Sequence, residues 1–342
     1  MTSPVVVLAA HEVARLLDMG ACIESIAGAF SAHEAGGSRG PASCGFALPD
    51  GSFHVKAAAL ESDGRLFVLA KANVNLPGNS IRHGRPTIQG ALLLFDGLDG
   101  RPLAVMDSMA LTSLRTAATA ALAARHLSLH AARTIAIVGC GEQGEAQLRA
   151  MTTVRPLTTA FAVDTDAAKA ADFARRLSRD LRLRVEATTD LGAAVLASDI
   201  CVTATTAHEP FVARTHLHPG LFIAAVGADN PAKHEIQPEA LRHSRVVVDS
   251  LAACAAGGDL HHAIASGAMS EADVHAELSA IVAGRAPGRS SPDEVFVFDS
   301  TGTALQDAGA AVAVYQRALA AGLGRRVHFV EPEASATTGA SW

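Results

Sequence analysis

Hydrophobic positions change their period along this chain, and each change predicts a different kind of element. Over residues 12–35, Leu16, Leu17, Ile23, Ile26, Ala27 and Phe30 recur near helical spacing, which predicts one or two amphipathic helices ended by Gly36 and Gly37. From about 41 to 105, short apolar runs alternate with the turn pairs Asp50-Gly51, Asp63-Gly64, Pro77-Gly78 and Asp99-Gly100, the pattern of an antiparallel sheet built from hairpins. An Ala/Leu-rich helix is predicted for about 110–127. Beyond it the texture becomes strand-helix-strand. Buried-type strands are predicted at 133–138, 160–163, 183–187, 200–204, 222–226, 245–248 and 295–298, with helices after the first two and a last helix to about 321. Parallel βαβ units give a doubly wound sheet, so the fold class is α/β: a Rossmann domain plus a hairpin-rich α+β portion. No internal repeat is visible, and the tail after about 331 is expected to fray.

With 342 residues, of which 49% are hydrophobic and 18% charged, the chain has material for two domains with sizeable cores. The net charge of -6 and the 4% aromatic content argue against nucleic acid as a partner, and the charge argues against an anionic membrane surface too. The apolar run at 5–10 lacks a basic flank, and no run approaches the roughly 20 residues needed to span a bilayer. Five cysteines without CxxC spacing fit reduced thiols, hence a cytoplasmic location. Only four of the 28 basic residues are lysine: Lys56, Lys71, Lys169 and Lys233. An ammonium is a compact charge whose pKa shifts on burial, so these positions are candidates for chemistry that arginine cannot perform.

The most specific motif is Gly139-Cys140-Gly141-Glu142-Gln143-Gly144, which follows a predicted strand and opens a helix. In that context the first glycine makes a tight turn, the second admits a pyrophosphate, and the third lets helix and strand pack closely. The helix N-terminus then offers free N–H groups to phosphate. Asp164 ends the next strand, where an acid bonds a ribose 2′-hydroxyl and repels a 2′-phosphate; no arginine sits beside it in sequence. The loop, Glu142 and Gln143 included, is therefore expected to bind NAD(H) in preference to NADP(H). Thr205 and Thr206 end a further strand at the edge where ligands bind.

Four stretches together resemble the ornithine cyclodeaminase/μ-crystallin family. They are Leu111-Thr112-Ser113-Leu114-Arg115-Thr116-Ala117-Ala118, the glycine loop with Gln143, Val226-Gly227-Ala228-Asp229-Asn230-Pro231-Ala232-Lys233-His234-Glu235, and Phe298-Asp299-Ser300-Thr301-Gly302-Thr303-Ala304-Leu305-Gln306-Asp307. Ala232 replaces the family's usual glycine. The resemblance implies a homodimer and a discontinuous substrate-binding and dimerisation domain (1–118 and 303–342) around a Rossmann domain (119–302). The family includes cyclodeaminases, alanine dehydrogenases, ketimine and iminosuccinate reductases, and NADPH-binding crystallins, so it implies a chemistry more than a substrate.

Residue by residue, the resemblance makes Arg115 the bidentate partner of a substrate carboxylate and Lys71 a catalytic lysine that faces the substrate beside the nicotinamide. Lys56 stands where many members are apolar. On a strand it shares a face with His54, and it adds a cation for a second carboxylate or polar tail if that face is the pocket. Asp229, at the end of an apolar strand, is the candidate acid/base. Lys233 is expected to touch cofactor or to pair with Asp229 or Glu235, and Ser300 and Thr301 to lie near the nicotinamide. His261, His262, Asp259 and His275 are read as hydrogen-bonding histidines and a capping aspartate, not a metal site, because adjacent helical histidines diverge by about 100°. Hydride transfer to or from the α-carbon of a small amino or imino acid ranks first. A cyclodeaminase follows, since no acid is evident in the hairpins near Lys71 and two lysines repel a second amine. A non-catalytic dinucleotide-binding protein is the third reading.

Overall fold

A computed structural model describes residues 4–329 of the chain. The expected frayed tail lies outside these residues. Strand β1 (Val5–Leu8) is followed by helices α1 (Ala10–Leu16) and α2 (Met19–Glu34). The hairpin region forms β2 (Ser38–Leu48), β3 (Gly51–Ser62), β4 (Arg65–Asn75), the short helix α3 (Asn79–His83), β5 (Ile88–Asp96) and β6 (Pro102–Asp107). Pro77-Gly78 thus leads into a helical turn and not a tight hairpin. Helix α4 (Ser108–Leu127) begins at Asp107, whose carboxylate accepts the amides of Met109 and Ala110 at 3.0 and 2.8 Å, a side-chain cap on otherwise orphaned donors.

The first sheet has seven strands. Beside the antiparallel run β2 to β6 it holds β1, parallel to β6, and β15 (Arg325–Val327), antiparallel to β1. The antiparallel run expected over 41–105 is present as β2 to β6, and β1 and β15 extend it into a mixed sheet; β1 is buried between two neighbours, which explains its unbroken Val-Val-Val-Leu run.

The second sheet is wholly parallel, as expected. Its strands are β7 (Thr134–Val138), β8 (Thr159–Val163), β9 (Arg184–Thr188), β10 (Ile200–Thr203), β11 (Phe222–Ala225), β12 (Arg245–Val248), β13 (Ala276–Glu277) and β14 (Phe296–Asp299). Their spatial order is β9-β8-β7-β10-β11-β14-β12-β13, so the order reverses between β7 and β10. Ligands of such sheets bind at this switch point, outside the carboxyl ends of the strands. Helices α5 (Glu142–Val154), α6 (Ala167–Leu181), α7 (Leu191–Leu196), α8 (Pro238–Arg242), α9 (Leu251–Gly257), α10 (Asp259–Ala265) and α11 (Leu278–Val282) connect and flank these strands.

Helix α12 (Ala304–Ala321) leaves the second sheet and packs on α2, α4 and the strands β3 and β4 of the first. Its small side chains permit close approach: a Cβ at Gly309 would lie 2.9 Å from the Ala29 methyl. Fully buried Phe30, Ile23, Ile26, Leu69, Leu92 and Leu94 fill the layer beneath α12 and α4, each side chain contributing about 1.5–3 kcal/mol.

Candidate active site

The glycine loop joins β7 to α5 at the switch point. Gly139 has a φ of +99°, and a Cβ there would strike the Ala204 carbonyl oxygen at 2.6 Å, so the tight turn requires glycine. At Gly144 a Cβ would lie 2.0 Å from the Gly139 carbonyl oxygen, which fixes how closely α5 approaches β7. Gly141 differs: a Cβ there would meet nothing within 4 Å. Open space faces the loop at the residue before α5, and no side chain caps the helix. Free N–H groups, room above Gly141 and an acid at the next strand end fit a dinucleotide pyrophosphate and ribose. The Asp164 carboxylate accepts the amides of Cys140 at 2.9 Å and Asp166 at 3.1 Å. Burial opposes its charge, but those amides and the Lys169 ammonium outweigh burial and hold its pKa below the usual carboxylate value. Glu142 is exposed at the helix start, and Gln143 is half-buried.

A cluster of charged side chains forms where α4, α12 and the β3–β4 hairpin meet. Lys56 and Lys71 are direct cross-strand partners, so both ammonium groups rise from one face of the sheet. Lys71 Nζ lies 2.5 Å from Asp307 Oδ2, and Arg115 Nε donates to Asp307 Oδ1 at 2.8 Å. Arg115 Nη1 donates to Gln306 at 2.8 Å. Lys56 Nζ donates to the carbonyl oxygen of Gly302 at 2.7 Å. Burial drives the Lys71 pKa down to about 8, with Asp307 pulling it up and Arg115 pushing it further down. Burial and then Arg115 also lower Lys56. Asp307, fully buried, is held below its usual value because Arg115 and Lys71 outweigh the effect of burial.

Three cations, Lys56, Lys71 and Arg115, gather near two buried carboxylates, Asp307 and Asp249, and the Asp229–Lys233 pair across the cleft is itself neutral, which leaves an excess of one positive charge. Donors are also left over. Arg115 Nη2 has no hydrogen-bond partner among the described residues, and Lys56 and Lys71 each use one of three ammonium protons. Gly302 covers the guanidinium: a Cβ there would lie 2.4 Å from Nη1 and 2.9 Å from Nη2.

Asp249, just past β12, holds the turn that carries Gly302. It accepts the Gly302 amide at 2.7 Å, the Ser300 hydroxyl at 2.8 Å and the Gln306 side-chain amide at 3.0 Å. Ser300 is thus buried and committed to Asp249. Glu235 plays the same part on the other side. It accepts the Thr203 hydroxyl at 2.6 Å, the Thr205 amide and hydroxyl at 2.7 Å each, and the Gly227 amide at 2.9 Å. Burial pushes the pKa of Glu235 up despite these bonds. Asp259 does not cap α10, whose N-cap is Gly258; its carboxylate instead accepts the amides of Glu235 and Ile236 at 2.7 and 2.9 Å. His262 stacks on His234 at 3.8 Å and bonds the Lys233 carbonyl, while His261 and His275 bond the carbonyls of Ala255 and Pro287.

A cleft of about 760 Å³ runs between β2–β3 and the carboxyl edge of the parallel sheet. Lys56, His54, Asp229, Asn230, Thr301 and Gly302 line it, so Lys56 and Asp229 face the same space from opposite domains. Asp229 follows β11, is half-exposed, and pairs with Lys233 at 2.8 Å. Of the residues proposed from sequence, Lys56, Lys71 and Arg115 converge, with Asp229 across the cleft. Asp307, Asp249 and Gln306 were not singled out, although Asp307 and Gln306 stand in the last motif quoted above; Glu235 was named only as an alternative partner of Lys233, which pairs with Asp229.

Solved structures share this fold over nearly the whole chain. An archaeal alanine dehydrogenase dimer with bound NAD superposes with a TM-score of 0.90 at 31% identity, covering 95% of this chain and 99% of that one. The Δ1-pyrroline-2-carboxylate reductase of Thermococcus litoralis, in complex with NADH and L-proline, gives 0.88 at 30% identity (94% and 100% covered). The iminosuccinate reductase of Paracoccus denitrificans, in complex with NAD+, gives 0.87 at 30% identity (95% and 100% covered). The family model for ornithine cyclodeaminase and mu-crystallin matches residues 4–322, and the chain belongs to that family.

Proposed function

We propose that this protein is an NAD(H)-dependent oxidoreductase acting at the C–N bond of a small amino or imino acid. The observation that carries the reading is the excess positive charge around Gly302. Buried cations without enough anions are costly, and a substrate carboxylate supplies the missing charge and takes the unused donors of Arg115, Lys71 and Lys56. The dinucleotide supplies or accepts the hydride. The glycine loop (Gly139, Gly141, Glu142, Gln143 and Gly144) holds its pyrophosphate and Asp164 its ribose, while Thr205, Lys233 and Ser300 border the nicotinamide end. In the reductive direction the imine nitrogen also needs a proton. Asp229 faces the cleft opposite Lys56 and delivers it, and Lys71, with a pKa near 8, keeps the carboxylate pocket cationic at neutral pH. Solved relatives named as an alanine dehydrogenase, a pyrroline-2-carboxylate reductase and an iminosuccinate reductase support this chemistry.

Asp164 favours NAD(H) over NADP(H). The domain division follows the two sheets, at 118/119 within the continuous helix α4 and at 302/303 before α12. The assembly is a homodimer. Val55, Ala57, Val68, Ala70, Leu93 and Phe95 all lie on the outward face of the first sheet, opposite Lys56 and Lys71. A solvent face of an antiparallel sheet would be polar, so a second copy covers this one. No helix among the described residues is long and apolar enough to cross a membrane, and the five cysteines are free, in keeping with a cytoplasmic enzyme.

Replacing Asp229 by Asn tests the assignment. The carboxamide keeps size and polarity but cannot deliver a proton, so kcat for imine reduction should fall by about 100-fold or more with dinucleotide affinity unchanged. An unaltered kcat would remove Asp229 from the mechanism.

A further inference from the structure

All four lysines of the chain lie at the proposed site, and Lys169 is the one the mechanism above does not use. It stands in the first turn of α6, after the N-cap Asp166. Its Nζ is 3.2 Å from Asp164 Oδ2, the oxygen that also accepts the Cys140 amide. The two partners differ in freedom: the Asp164 side chain is 10% exposed and pinned by two amides, whereas Lys169 is 49% exposed on a flexible stem. The nearby acids are taken. Asp172 pairs with Arg175 and Arg176, and Glu145 pairs with Arg149 and Arg176.

An acid at the ribose position excludes a 2′-phosphate because two negative charges would meet. In this chain the Asp164–Lys169 pair is neutral, so much of that repulsion is absent. The ammonium is also free to turn outward to a phosphate while the carboxylate stays anchored to the loop. We infer that Lys169 sets the choice between the two nicotinamide dinucleotides, making the preference for the 2′-hydroxyl form shallow and admitting the 2′-phosphorylated form to the same site. The inference rests on the reading of the glycine loop and Asp164 as a nucleotide site.

The test uses fragments that carry no nicotinamide, so it reads binding without turnover. Isothermal titration of the full chain with ADP-ribose and with 2′-phospho-ADP-ribose should give affinities within about tenfold of each other. Lys169→Ala should weaken the 2′-phosphorylated ligand by about tenfold or more, the worth of a charge-assisted hydrogen bond, and change ADP-ribose by less than about threefold. Asp164→Ser should favour the phosphorylated ligand, and adding Lys169→Ala should cancel that gain, which measures their coupling. Wild-type protein that binds ADP-ribose but not the phosphorylated form, or Lys169→Ala that shifts both ligands equally or neither, overturns the inference while the nucleotide site stands. Failure of both fragments to bind wild-type protein rejects the nucleotide site itself, and the inference with it.

Discussion

Replacing Asp307 by Asn removes one negative charge and almost no volume from the most buried part of the site. Asp307 is fully buried and serves two cations at once, Lys71 at 2.5 Å and Arg115 at 2.8 Å. Removing one partner of a buried ion pair costs about 3–5 kcal/mol, because the remaining charge is left desolvated. Here two cations would remain, at 4% and 5% exposure. The protein has one escape. Lys71, whose pKa already stands at about 8 with Asp307 supporting it, can shed its proton. Deprotonation of Lys71 caps the loss of stability near the lower end of that range and removes one cation from the proposed carboxylate pocket.

Two readouts follow. Urea unfolding should show a loss of about 3 kcal/mol at neutral pH with an unchanged m-value. The apparent substrate affinity should also weaken, and its alkaline limb, near pH 8 in the wild-type protein where Lys71 titrates, should move to lower pH in the variant. A variant within about 1 kcal/mol of wild type, with the same alkaline limb, would show that Asp307 neither balances these cations nor tunes Lys71.

Gly302→Ala places a methyl 2.4 Å from the Arg115 guanidinium at a φ of +76°, so substrate KM should rise by about tenfold or more while dinucleotide binding is retained; an unchanged KM would take Arg115 out of carboxylate binding. Gly144→Ala meets the Gly139 carbonyl at 2.0 Å and should abolish dinucleotide binding in a titration, whereas Gly141→Ala, which meets no protein atom, should lose affinity only through contact with the ligand. Burial raises the Asp259 pKa from 3.8 to about 7, with Glu235 adding to it. Between those values the folded state holds a proton that the unfolded state releases, so this group's stabilisation is full at low pH and is lost as pH rises through that window. Asp259→Asn carries no such charge, and its melting temperature relative to wild type should climb from pH 4 to pH 8; a constant difference would refute the raised pKa.

Local constraints made the glycine-loop half of the candidate site legible. The roles of Gly139 and Gly144 follow from a turn and a helix–strand contact within a few residues, and Asp164 from the end of the adjoining strand. The direct pairing of Lys56 with Lys71 was also present in the sequence, because the Asp63-Gly64 turn fixes the register of β3 on β4. The role of Asp307 was not, since it depends on α12 returning from the second sheet to pack on the first. The acid near Lys71 comes from that helix and not from the hairpins. Strand β15 escaped for a similar reason: Arg325-Arg326-Val327 has no strand pattern of its own and is held by pairing with β1. Lys169 was set apart only as a rare lysine, and its contact with Asp164 depends on the first turn of α6 folding back over the strand end.

The proposed reaction is hydride transfer to the carbon of a C=N bond beside a carboxylate. It is tested most directly by following NADH consumption with 2-oxo acids (pyruvate, glyoxylate and oxaloacetate) plus ammonium or methylamine, and with cyclic ketimine carboxylates. Turnover with at least one of these substrates, lost in Asp229→Asn, is expected. Tight NADH binding without turnover of any of them would contradict it, and conversion of ornithine to proline by the same protein would assign the site to the cyclodeaminase reaction instead.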